Sequence, residues 1–115
     1  MAVIDDLRQA VKVAVAAGSS AARSQGVALK GDFENLVVPE LDDILVQIEA
    51  ITADFVAKNI LQPQAKDDLS TQSNRVMPII LGVAELTLMA VQAIINAVMD
   101  AVKTVVNKAA GIALL

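Results

Sequence analysis

The chain has 115 residues, is 56% hydrophobic but only 2% aromatic, and carries a formal net charge of −4. The acidic balance lacks the basic footprint of a nucleic-acid binder, and the scarcity of rings removes the stacking groups that hold single strands. Without Cys or His there is no disulfide, thiol nucleophile, thiolate or imidazole metal site, or neutral-pH proton shuttle.

The opening MAVIDDLRQAV has no basic start followed by an apolar run, so no secretory signal is expected. The chain is therefore read as made in the cytoplasm, staying there or joining a larger particle. Val3 and Ile4, Leu7, Val11, Ala14 and Val15, Gly18 and Ala22 recur at three- and four-residue steps, which predicts an amphipathic helix over 3–24. Asp5 and Asp6 sit in its first turn, where the helix dipole favours negative charge, and Arg23 lies near its end. The run Gly18-Ser19-Ser20-Ala21-Ala22 reads as a flexible break or as a flat face where another backbone comes close. A helix continuing to about Ser24, with Gly26 ending it, is preferred.

Residues 26–38 form a connector punctuated by Gly26, Gly31 and Pro39, with enough apolar residues to be packed down and room for a helical turn at Phe33–Leu36. Pro39 suits the first turn of a second helix, expected over 39–61 and stopped by Gln62-Pro63. Leu41, Ile44, Ile48, Ile51 and Phe55 give that helix an apolar seam of coiled-coil spacing, expected to lie against the last helix. Residues 31–57 hold Asp32, Glu34, Glu40, Asp42, Asp43, Glu49 and Asp54 and no base. This acidity reads first as a solvated outer face and second as a docking face for a basic partner.

The segment 62–75 is the most polar in the chain and is expected to be a hinge. A last helix is expected over 67–111, beginning near Asp67 with a kink at Pro78 behind which Gly82 lies, or starting afresh at Ser73 or Asn74, and ending near Gly111. At 100° per residue Glu85, Gln92, Asn96, Asp100, Lys103 and Asn107 fall within roughly 80° of one another, a thin polar stripe on an otherwise apolar helix. Asp100 and Lys103 are spaced to pair with each other. Glu85 is the one acid in an apolar setting and is expected to face solvent or a neighbour's polar stripe. Ala90, Ala97 and Ala101 share a strip of small residues, with Ile94 and Val98 beside it, where another helix can approach closely.

No catalytic, cofactor-binding or metal-binding set emerges: the Asp-Asp pairs point in different directions on a helix, and no phosphate loop or Ser-His-Asp arrangement is present. The expected fold is all-α, a single domain over 1–115. Its three helices, or four if the last one breaks, place a long apolar C-terminal helix on two shorter amphipathic ones. So little of the chain is left to cover that helix that a homo-oligomer is expected to complete the bundle. The corresponding function is a non-enzymatic assembly protein: a scaffold, shell, filament or virion component. The alternative is a small holin-like membrane protein with a span near 77–99, at the cost of burying Glu85, and without basic flanks or an aromatic belt.

Overall fold

Helix α1, Val3–Ser24, is drawn by the period foreseen, with Leu7, Val11, Val15, Gly18 and Ala22 buried. It stops in a Schellman motif: Gly26 takes φ 86°, its N–H donates to the Arg23 carbonyl, and the Val27 N–H donates to the Ala22 carbonyl, each at 3.0 Å. The structure is a computed structural model in which residues 3–115 are described, and every described regular element is helical.

Helix α2 runs Phe33–Val56, six residues earlier at its start than 39–61, so Pro39 lies inside it rather than in its first turn. The apolar period extends backward: Phe33 and Val37 are fully buried in line with Leu41, Ile44 and Ile48. Pro39 deprives the Asn35 carbonyl of its helical donor, and both residues lie on the exposed face of the helix, where a missing bond costs least. Anchoring Phe33 and Val37, at about 1.5–3 kcal/mol each, outweighs the lost bond. The helix ends at Val56 instead of Leu61. Lys58 adopts φ 64°, and the Asn59 N–H reaches back to the Asp54 carbonyl at 2.8 Å, closing a second Schellman turn without glycine.

The expected hinge at 62–75 is instead helix α3, Gln62–Ser73, with proline in its first turn. Only Ala65, Leu69 and Ser73 are buried along it, one position every four residues, which is too sparse an apolar signal to stand out in so polar a segment. The expected single helix over 67–111 is three pieces: α3, α4 (Val76–Ala84) and α5 (Leu88–Ala110). Pro78 causes the first break by helix re-initiation two residues upstream, so it falls in the first turn of α4, where its missing N–H costs nothing. The second break comes at Glu85, which takes left-handed φ 55° and donates its N–H to the Leu81 carbonyl. Thr87 then caps α5, its hydroxyl accepting from the Ala90 N–H at 3.4 Å.

The five segments make four arms, with α3 and α4 sharing the third. Arg8 meets Asp42 and Arg23 meets Glu34, so α1 and α2 are antiparallel. Arg75 meets Asp43 and Lys30 meets Glu85, so α3 and α4 return along α2. Gly18 abuts Ile94 while Val3 and Asp6 share a hollow with Val105 and Lys108, so α5 is antiparallel to α1. The result is an up-down-up-down bundle in which α5 packs against α1, α4 and α2. Its core is aliphatic apart from Phe33.

Candidate functional site

Two backbones come close at Gly18. A Cβ built there would sit 2.8 Å from the Ile94 Cα, so α1 and α5 touch main chain to main chain, which only glycine permits. This supports the flat-face reading of the Gly18 run over the flexible one, since α1 passes through it unbroken. Ile94 and Val98 are fully buried on the α1 side of α5. Ala90, Ala97 and Ala101, the small strip, are half-buried at the edge of that contact.

On the outer side of the α1–α5 pair, toward the start of α1, a shallow groove of about 600 Å³ is lined by both helices. Its α1 wall is Ala10, Val13 and Ala14 with Asp6 and Gln9 on the rim; its α5 wall is Ala97, Ala101 and Val105 with Asp100 and Thr104 on the rim. Toward the helix ends it continues into a second hollow bounded by Val3, Asp6, Val105, Lys108 and Ala109. Val13 is 57% exposed although it is apolar. The α1 wall was missed in the sequence because Ala10 and Val13 lie off the core period; their spacing against Ala14 and Ala17 was the available signal.

The polar stripe is shorter than expected. Gln92, Asn96, Asp100 and Lys103 are exposed along α5, and the Gln92 amide donates to Asn96 Oδ1 at 2.9 Å. Asp100 and Lys103 form no ion pair with each other. Glu85 does not belong to the stripe, because the turn at 85–87 separates it from α5; it is exposed and pairs with Lys30 at 3.2 Å. Asn107 has another task. Its Oδ1 accepts from the Leu114 and Leu115 N–H groups at 2.8 and 2.9 Å and its Nδ2 donates to the Leu115 carbonyl, folding the tail back past left-handed Gly111. That clasp buries Leu114 to 3% exposure.

On α2, Leu41, Ile44 and Ile48 are buried, while Ile51 and Phe55 are half-buried toward its end. The seam faces the middle of the bundle, because α2 packs against α1, α3 and α4 as well as α5. The acidity of 31–57 is partly answered from within the chain. Arg8 grips Asp42 with two hydrogen bonds of 2.7 and 3.1 Å, and Arg23 binds Glu34 while also donating to the Lys30 carbonyl at 2.6 Å. The hydrogen bonds from Arg23 and Arg8 lower the pKa values of Glu34 and Asp42 below the ordinary carboxylate range, against the opposing effect of partial burial. The Ser19 hydroxyl is buried beside this pair and favours the Glu34 carboxylate without completing a hydrogen bond in this conformation.

Buried polar groups are few: Thr52 bonds back to the Ile48 carbonyl at 2.8 Å, and Ser73 is buried at the α3–α4 break. Among the described residues no group of three acidic, His or Cys side chains is placed to hold a metal ion. Of the surface hollows, the α1–α5 groove has the most apolar lining. Comparison with protein-family models, with curated proteins and with solved structures finds no match for this chain.

Proposed function

We propose that the chain is a non-enzymatic structural subunit that self-associates through the face shared by α1 and α5, as a component of a scaffold, shell, filament or virion. The observation that supports this reading is the groove itself: an apolar floor of alanines and valines, left open where the four arms fail to cover α5. Alanine floors let a further helix approach to the short end of the usual 8–10 Å interaxial range, and covering Val13 and Val105 removes apolar area from water. The mass of the purified chain in detergent-free buffer, measured across concentrations, tests this. A defined multimer that dissociates on dilution is expected. A monomer at every concentration overturns the proposal.

A membrane role is the second reading, favoured by one observation. Helix α5 is long and apolar enough to cross a bilayer, with a mean hydropathy of 1.4 in its most apolar window. The originally expected span, 77–99, is interrupted by the turn at Glu85–Thr87, so a membrane form uses Leu88–Ala110 after withdrawing it from α1. Recovery of the chain only in the membrane fraction would favour this reading.

A further inference from the structure

We propose that the occupant of the α1–α5 groove is the same groove of a second copy, related by a two-fold axis running along it. The inference rests on the self-association reading and adds its geometry. An isologous contact needs a surface complementary to itself, so that residue i meets j and j meets i. Rotation about an axis along the groove sets the α1 wall of one copy over the α5 wall of the other and preserves height along the bundle. Because α1 and α5 are antiparallel neighbours, residues at equal height on the two walls become partners between copies. Ala10 then lies over the partner copy's counterpart of Ala101, both half-buried on the groove walls, small residue against small residue, twice.

The rims match under the same operation. Asp6 and Lys108 bound one hollow at one height yet form no ion pair with each other. Across the axis each faces the other's counterpart, giving two opposite-charge contacts. Gln9, an amide donor on the α1 rim, likewise stands over the carboxylate of Asp100 on the α5 rim. The alternative axis, in the interface but across the groove, reverses the height of one copy and sets Asp6 over the Ala14 end, away from Lys108 and nearer the Asp100 carboxylate. Charge thus favours the axis along the groove.

The test uses the absence of cysteine from the chain, which makes any introduced thiol unique. Ala10→Cys and Ala101→Cys chains are prepared separately, checked for helical circular dichroism, and oxidised alone and mixed. A disulfide-linked dimer is expected only in the mixture. A crosslink within Ala10→Cys alone, or no crosslink from a mixture whose mass is multimeric, overturns this arrangement while leaving self-association intact. A monomeric parent chain overturns both. Charge reversal is the independent arm. Asp6→Lys or Lys108→Asp alone acts at two symmetry-related contacts and should weaken association about tenfold, whereas the double reversal should restore it. Single and double variants that associate like the parent overturn the pairing.

Discussion

Replacing Gly18 with alanine places two known effects in opposition. Gly18 is inside α1, and alanine there gains about 1 kcal/mol of helix propensity. The added methyl would lie 2.8 Å from the Ile94 Cα, well inside van der Waals contact, and that atom is backbone, so no side-chain rotation relieves it. Separating α1 from α5 loosens the packing of Val11, Val15, Ile94 and Val98, which are all fully buried. Overpacking costs about 1–3 kcal/mol, and a backbone-limited clash belongs at the upper end, leaving a net loss of about 2 kcal/mol. At about 2.1 cal/mol/K of unfolding entropy per residue, a chain of 115 residues loses roughly 4 °C of melting temperature per kcal/mol. Thermal unfolding followed by circular dichroism should therefore show a drop of about 8 °C for Gly18→Ala. Gly82→Ala provides the control. Gly82 is also inside a helix, with open space where its Cβ would go, so alanine should raise the melting temperature by about 4 °C. If Gly18→Ala is stabilised as much as Gly82→Ala, the main-chain contact between α1 and α5 is not there.

Other perturbations test other parts of the bundle. Ile48→Ala should cost about 2–5 kcal/mol in denaturant unfolding, because Ile48 is fully buried in the middle of α2; a midpoint unchanged from the parent would remove the seam from the core. Glu85→Gly should stabilise the chain by about 1 kcal/mol by relieving the left-handed backbone at the α4 end, offset slightly by loss of the exposed Lys30 pair, and a lower melting temperature would contradict the turn. The Glu34 pKa is lower folded than unfolded, so its contribution to stability is present above the ordinary carboxylate range and is lost as pH falls through the folded value. Glu34→Gln should accordingly melt below the parent at pH 7, with the gap closing as pH falls through and below the ordinary glutamate range; a gap constant with pH would assign the loss to packing.

The helical class and α1 were legible because apolar residues at three- and four-residue steps specify a face without reference to anything distant. The breaks were legible only as alternatives. Pro78 announces a disturbance, but whether the chain bends at the proline or restarts upstream is decided by what Val76 and Ile80 can bury, and both are buried on a helix that packs against α2 and α5. Glu85 gave less warning still: a left-handed glutamate has no propensity signal, and Thr87 lacks the acidic residue three positions on that would mark a capping box. Pro39 misled in the opposite direction, since its preference for first turns was overridden by Phe33 and Val37. In the candidate site the α5 strip was visible as alanines on one arc. Its facing wall was not, because setting Ala10 opposite Ala101 depends on an antiparallel neighbour that no local pattern encodes.

The close pairing of α1 with α5 joins the first helix to the last, so its central contact, Gly18 with Ile94, spans most of the sequence. Helical bundles usually fold quickly because their contacts are local, but this one must close a long loop to form its main-chain contact between α1 and α5. During synthesis α1 leaves the ribosome long before its partner exists. Val11 and Val15 can be sheltered in part by α2, yet the Gly18 face has nothing to rest on until Ile94 has been made. A chain released after α4 would therefore hold three arms and an open apolar flank, a state exposed to aggregation and to capture by chaperones.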